Sequence, residues 1–195
     1  MLNLPPELQA TLLDRRVVFV RGRLDDASAN SAITQLLLLG RTAAGRAVEV
    51  YLDSPGGSMP AALSVYDMLQ TLDSPVSVTC LGTAGGAAVV VLAGGSLGRR
   101  FALPHARVHL ADEVVELAGS AAGAHDADLA SQAEAAARVR SRWIEVLARH
   151  AAHSAERIAR DLARGVWLSA AEARDYGLVD GIIPGAPALG GVRPR

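Results

Sequence analysis

Lysine is absent from this 195-residue sequence, and all 19 of its basic residues are therefore arginines. Without a lysine ammonium group the chain can form neither a Schiff base nor a serine–lysine catalytic pair, and it cannot contain a P-loop. The formal net charge is -1, so there is no excess of basic residues to neutralise nucleic-acid phosphates. The composition excludes P-loop nucleotidases and predicts no nucleic-acid partner.

Cysteine occurs once, at Cys80, which excludes an internal disulfide and a cysteine-rich metal site and is typical of a reducing compartment. The histidines have no metal-ligand spacing with nearby carboxylates, so we expect neither a metal nor another cofactor. Residues 1–16 lack the long apolar run of a signal peptide, and the longest apolar run, 85–95, is too short to cross a bilayer. We therefore expect a cytoplasmic protein without membrane contact.

Aromatic residues make up only 4% of the chain, whereas 50% of it is hydrophobic. The core must therefore be built mainly from alanine, valine and leucine. The length suits one domain, and we take residues 1–195 as that domain. Within it we expect a short N-terminal segment (1–12), a core over about 13–183 and a disordered Pro/Gly-rich tail (184–195).

Strand-like and helix-like runs alternate through the first half of the chain, a pattern typical of βα units and a mostly parallel sheet. A capping-box pattern, Ser169 with Glu172, marks the start of a short helix towards the C-terminus. The predicted strands cover 17–20, 47–57, 76–81 and 178–183, with an extended stretch at 107–117. The predicted helices cover 25–40, 58–72, a run that ends near Ala93, the Ala-rich stretch 126–151, 154–164 and 169–177.

Residues 80–95, CLGTAGGAAVVVLAGG, continue a strand through small residues into an apolar helix. Strand–turn–helix corners of this kind carry the nucleophile in many hydrolases, because the helix N-terminus there offers free N–H groups to an anion. In this chain the corner consists of Ala84, Gly85, Gly86 and Ala87. The sequence thus predicts the corner of a hydrolase without the serine or cysteine that would make it reactive.

Four stretches, in order, resemble the proteolytic subunit of the Clp protease: DSPGGSMPAALSVYDMLQ (53–70), CLGTAGGAAVVVLAGG (80–95), GRRFALPHARVHL (98–110) and WLSAAEARDYGLVDGII (167–183). The resemblance implies a ClpP/crotonase-type α/β fold, in which a ββα spiral contains a mostly parallel sheet and a long helical handle, near 112–151 in this sequence. It also implies an ATP-dependent serine endopeptidase family whose subunits stack in rings, onto which an AAA+ unfoldase docks.

The resemblance assigns the family's catalytic serine, histidine and aspartate to Gly86, Ala111 and Gly165, which we call the triad positions. None of the three carries a functional side chain. Gly57 and Ala87 match the positions whose backbone N–H groups form the family's oxyanion hole. The chain is therefore identified as a ClpR-like, non-catalytic member, and we expect it to act as a ring scaffold or regulatory subunit, alone or with an active ClpP-type paralogue.

Two other functions stay open from the sequence. An active peptidase would need relocated catalytic residues, with Ser58, Cys80 and Thr83 as candidate nucleophiles. His109 would point the same way as Ala111 but lie about 6–7 Å away along the strand. That displacement is beyond the hydrogen-bond reach of a base acting at the corner. A crotonase-like module would instead bind an acyl carbonyl through the two backbone N–H groups.

In the family, loops of the unfoldase insert into a groove lined by aromatic residues. The resemblance assigns two of those places to Glu49 and Thr71, while Tyr51 keeps its aromatic ring. A carboxylate in an apolar groove costs desolvation energy when a loop docks, so we expect weak binding of an unfoldase. We call the six residues assigned to this surface the docking groove: Glu49, Tyr51, Thr71, Leu81, Leu103 and Ile183.

Overall fold

The computed structural model describes residues 5–42, 45–112 and 126–184, with the backbone alone for 126–130. The helices in these ranges are α1 (Pro6–Asp14), α2 (Asp26–Arg41), α3 (Met59–Thr71), α4 (Ala88–Ala93), α5 (Asp126–His150), α6 (Ala155–Arg164) and α7 (Ala170–Asp175). The strands are β1 (Val17–Arg21), β2 (Val48–Ser54), β3 (Val76–Gly85), β4 (Arg100–Ala102), β5 (Arg107–Leu110), β6 (Val166–Ser169) and β7 (Gly181–Ile182).

The strands form one sheet, whose main path runs in the order β1-β2-β3-β4-β7. All neighbours on this path are parallel, as expected for successive βα units. Strand β3 is ten residues long and forks: residues 78–80 pair with β4, whereas residues 83–85 pair with β5. Strand β6 joins β5 antiparallel. The predicted mostly parallel α/β fold is confirmed, and the fork places the corner at the end of β3 beside β5.

The core is built from alanine, valine and leucine, as predicted. Helix α4 lies within it, and all six residues of this helix are fully buried. Each buried valine or leucine side chain stabilises the fold by roughly 1.5–3 kcal/mol. Because α4 follows the corner directly, its burial also fixes the backbone of Gly86 and Ala87.

The long helix predicted over 126–151 is confirmed as α5. Its C-terminal part packs into the core through Trp143, Val146 and Leu147, which are all buried. Most residues from 131 to 142 are exposed or half-exposed instead. The apolar face of this helix is therefore partly used by its own domain.

Arg100 fixes the C-terminal end of α5. Its guanidinium donates hydrogen bonds to the carbonyls of His150 and Gly177, and it forms an ion pair with Asp180. Burial acts to raise the pKa of Asp180, but the hydrogen bonds from Arg100 outweigh it and leave that pKa lowered. The end of the helix is thus tied to the sheet through one buried cation.

Several elements differ from the sequence-based expectation. Helix α1 lies largely within the stretch expected to be a short N-terminal segment, and it has no buried residue. The short strands β4 and β6 were not predicted. Strand β3 continues to Gly85 rather than ending at residue 81, and the last strand is only Gly181–Ile182.

Some expectations concern residues outside the described ranges. These are the first four residues, the start of the handle at 113–125, which includes His125, and the tail from 185. Among the helices that the structure describes, none combines the length and apolarity needed to span a membrane.

Candidate active site

The strand–turn–helix corner joins the end of β3 to α4. Gly85 lies against the turn after β2, where a Cβ would meet the carbonyl oxygen of Pro55 at 2.4 Å, so only glycine fits. Gly86 has a φ of 45°, and its N–H donates to the carbonyl of His109 at 2.9 Å. Ala87 follows as the buried N-cap of α4. The backbone of a nucleophile corner is therefore formed, but the largest side chain on it is a methyl group.

The Ser-Pro-Gly-Gly turn after β2 depends on glycine in the same way. Gly57 has a φ of 137°, and a Cβ on it would lie 2.2 Å from the carbonyl oxygen of Leu24. The same carbonyl accepts a hydrogen bond from the N–H of Ser58 at 2.8 Å. The turn also touches the corner at Gly85. Gly57 and Ala87, the predicted oxyanion-hole residues, thus lie on two segments that are in contact.

His109 links two of the triad positions. Its imidazole stacks on the indole of Trp167, with ring centroids 4.0 Å apart and planes 7° apart. Its carbonyl accepts the hydrogen bond from Gly86, and its Nε2 lies 3.6 Å from the place of a Cβ on Gly165. Ala111, the remaining triad position, is half-buried two residues further along the chain. Spacing along one strand could not show the contact with Gly165, because that contact depends on where α6 ends.

Gly165 ends α6 as a left-handed C-cap with a φ of 64°, and its N–H donates to the carbonyl of Leu162 at 3.1 Å. Glycine is the residue type most often found at such a helix end. The N–H of Asp112, just after Ala111, donates to the same carbonyl at 3.2 Å. The end of α6 is therefore held directly against the end of β5, which brings Ala111 and Gly165 to the same edge of the sheet.

The three candidate relocated nucleophiles lie in different surroundings. The Oγ of Ser58 accepts the N–H of Ala61 at 3.3 Å and caps α3. Cys80 is fully buried, and burial, with a smaller effect of Asp53, raises the pKa of its thiol to about 12, so no thiolate forms near neutral pH. Thr83 is half-buried, and its N–H donates to Asp53. Within the described residues, none of these three side chains has a histidine or carboxylate as hydrogen-bond partner.

Two carboxylates near the site are also engaged. Asp53 forms an ion pair with Arg21 at 3.1 Å in addition to its bond from the Thr83 N–H. Asp112 accepts a hydrogen bond from the Nε of Arg140 on α5. Among the described residues, neither carboxylate bonds His109. The site therefore has no acid–base pair that the described side chains complete.

The other described histidines lie apart from the corner. His105 is exposed, and His153 packs edge-on against Tyr176. His150 bonds the hydroxyl of Tyr66 through Nε2 at 2.8 Å. No group of three or more histidine, cysteine, aspartate or glutamate side chains within the described ranges could hold a metal ion.

The predicted docking groove lies on a half-exposed face of the sheet. Tyr51 stacks on Phe19 with ring centroids 5.4 Å apart, and the strand register continues from Tyr51 through Thr79 and Phe101 to Gly181. We call these five cross-strand neighbours the aromatic row. Phe19 and Phe101 were not predicted, because only the register shows that they share a row with Tyr51.

The remaining groove residues lie around this row. Glu49, exposed and one pleat away from Tyr51, accepts a hydrogen bond from the tyrosine hydroxyl at 3.1 Å. Burial, together with this carboxylate, raises the pKa of Tyr51. Thr71 is exposed at the end of α3. Leu81 follows Thr79 by two residues on β3, so the two side chains point the same way. Leu103 and Ile183 lie one residue beyond β4 and β7, and their N–H groups continue the ladder by bonding the carbonyls of Cys80 and Ala102.

Comparison with known proteins gives a consistent match. Residues 6–186 match the family model of the Clp protease. A Streptomyces coelicolor protein described as Clp protease proteolytic subunit-like is 43% identical over 186 residues, which cover 93% of this chain and 86% of the relative. The ATP-dependent Clp protease proteolytic subunit 1 of Rhodopirellula baltica is 37% identical, covering 91% and 76%. Subunit 2 of Corynebacterium diphtheriae is 35% identical, covering 95% and 90%.

Proposed function

The chain belongs to the Clp protease family, and we propose that within it the chain is a proteolytic-subunit homologue without peptidase activity of its own. The observation that carries this proposal is the occupancy of the triad positions by Gly86, Ala111 and Gly165, with no described nucleophile–base pair nearby. When the triad of a serine peptidase is missing, only the residual catalysis of the oxyanion hole and of binding remains.

The retained glycines do not argue for catalysis. Gly57 and Gly85 both stand where a Cβ would collide with a backbone carbonyl, at 2.2 Å and 2.4 Å respectively. Packing alone therefore requires glycine at both positions, whether or not the N–H groups ever stabilise an oxyanion. The frame of the site can persist after its chemistry is lost.

We further propose that the chain contributes to a ring, either alone or with an active Clp proteolytic subunit, in an ATP-dependent cytoplasmic protease. Two observations support this role. The relatives are named as proteolytic subunits of an ATP-dependent protease. The part of α5 over residues 131–142 projects from the core with mostly exposed side chains, so it is free to contact another subunit.

The test is a peptidase assay on the purified chain, alone and mixed with an active Clp proteolytic subunit from the same organism. We expect no cleavage of a fluorogenic peptide by the chain alone. In the mixture, a fluorophosphonate probe should label the active subunit and leave this chain unlabelled. Label located on this chain by mass spectrometry, for example on Ser58 or Thr83, would contradict the loss of activity.

Native mass spectrometry of the same samples tests the assembly. A ring of this chain alone, or a mixed ring with the active subunit, is the expected result. A monomer in both samples at micromolar concentration would contradict the proposed ring role while leaving the loss of activity untouched.

A further inference from the structure

His109 lies between two triad positions, and we infer that its imidazole occupies the space in which a histidine–aspartate pair would form. A carboxylate at position 165 would be captured by His109, so restoring the three triad side chains alone would not rebuild a triad. The inference rests on the proposed loss of activity. It concerns a positioning effect of His109 and not a catalytic role for this residue.

The first support is distance. The place of a Cβ on Gly165 lies 3.6 Å from the Nε2 of His109, and apart from the chain neighbours of Gly165 no other heavy atom of the described residues lies within 4 Å of it. The oxygens of an aspartate extend beyond its Cβ, so they can approach Nε2 to about 2.8 Å, the length of a charge-assisted hydrogen bond. The φ of 64° at this position is also one that aspartate and asparagine tolerate better than other side chains.

The second support is that His109 is already held in position. Its ring lies on the Trp167 indole at 4.0 Å, its backbone pairs with Trp167 across the β5–β6 ladder, and its carbonyl is bonded by Gly86. An imidazole introduced at Ala111, just beyond the last residue of β5, would lie opposite Gly165 in the continued β5–β6 register and would compete with His109 for the carboxylate. Because the His109 ring is already stacked on Trp167, the carboxylate meets a fixed imidazole at His109.

The consequence for catalysis follows from the role of the aspartate in a triad. The aspartate orients the histidine and stabilises its protonated form, so a histidine without it loses most of its effect as a base. If His109 takes the carboxylate, the imidazole at 111 is left without that support. Restoring the three triad side chains would then not be enough to restore activity.

The direct test is the protonation of His109 in Gly165→Asp, with Gly165→Asn as the matched control. The asparagine has nearly the same shape and the same backbone demand but no charge. Histidine ring signals, assigned with a His109→Gln variant, are followed by NMR across pH in folded protein. We expect His109 to hold its proton to a pH about one unit higher in the aspartate variant than in the asparagine variant. Equal midpoints would overturn the inference.

The competition is then measured with Ala111→His added to Gly165→Asp. We expect His109, and not the introduced imidazole, to be the ring that holds its proton to a higher pH. If the introduced imidazole holds its proton to the higher pH instead, His109 does not capture the carboxylate and the inference is wrong.

Activity gives the second readout, in rings assembled with an inactivated partner subunit. The restored variant Gly86→Ser/Ala111→His/Gly165→Asp should gain at least tenfold in peptide cleavage when His109→Leu is added. The exposed His105 supplies the control: His105→Leu should give no gain. Equal cleavage with and without His109→Leu would overturn the inference. Cleavage by the unmodified chain would instead contradict the proposed function and leave the protonation test intact.

Discussion

The triad positions and the aromatic row lie on the same sheet but differ in what forms them: backbone geometry at the triad positions and side chains in the aromatic row. At the triad positions the backbone is intact, with the tight corner and its glycines, while the functional side chains are absent. The aromatic row carries the rings of Phe19, Tyr51 and Phe101, and Glu49 places a carboxylate beside them. The difference is that close backbone contacts require glycine at the corner whatever its chemistry, whereas in the aromatic row the rings of Phe19 and Tyr51 stack on each other.

The largest expected effect comes from breaking that backbone frame. Gly85→Ala places a methyl group 2.4 Å from the carbonyl oxygen of Pro55, so either the buried end of β3 or the turn after β2 must move. We expect the free energy of unfolding to fall by about 3 kcal/mol, measured by urea denaturation.

Gly22→Ala is the control for backbone conformation alone. Gly22 has a φ of 77° but nothing within 4 Å of the place of a Cβ. The alanine there should cost about 1 kcal/mol, because an L residue is strained in the left-handed region. Equal losses in the two variants would show that the corner is not held by close packing.

A smaller effect is expected on the aromatic row. The double change Glu49→Tyr with Thr71→Phe should raise the affinity of an assembled ring for a Clp unfoldase at least tenfold, which is about 1.4 kcal/mol. The physical reason is that it removes a carboxylate that must be desolvated and adds apolar area to the groove.

The matched control for docking is an aromatic placed elsewhere. Asp175→Tyr, at the exposed end of α7, also exchanges an acid for a tyrosine and should leave the affinity unchanged. If the double variant binds no better than the unmodified chain, the groove already docks through its apolar residues and Glu49 is not the limiting defect.

The smallest expected effect is a pH dependence of the free energy of unfolding, and it arises outside both regions, at His150. Burial, followed by the nearby charges of Arg100 and Arg149, lowers the pKa of His150 below its usual 6.5, while Asp180 acts weakly in the opposite direction. Just below pH 6.5, His150 therefore binds a proton more readily in the unfolded chain than in the folded protein. Stability present above pH 6.5 should be lost as the pH falls below it, by roughly 1 kcal/mol or less.

Urea unfolding at pH 7 and pH 5 measures this loss. His150→Gln should flatten the pH dependence, although it also changes the partner of the Tyr66 hydroxyl. His105→Gln, at an exposed position, should not. A slope that is the same in His150→Gln and in the unmodified chain would show that another group carries it.

Much of the fold could be predicted because its signals are local. The capping box of Ser169 with Glu172 begins a helix where the sequence predicts one. The helices predicted over 58–72 and 154–164 are also present, and in the structure Ser58 caps the start of the first and Gly165 the end of the second. The composition also predicted the aliphatic core. Helix α1 was not predicted; it is nine residues long and buries no residue, although Leu8 and Leu12 lie at helical spacing.

The site was predicted less completely, because its contacts join distant segments. The stack of His109 on Trp167 requires the antiparallel register of β5 and β6, and β6 was not predicted. Likewise, Phe101 joins Tyr51 only through the register of three parallel strands. Residue type and spacing indicate which side chains are candidates, but strand register decides which of them meet.

Strand β3 connects the two regions directly. One ten-residue strand carries Thr79 of the aromatic row and ends at Gly85 in the corner, with the fully buried Cys80 between them. Because side chains alternate along a strand, inserting or deleting one residue after Thr79 would turn every later side chain to the other face. Substitutions can change either region independently, but a change of length within β3 would disrupt both at once.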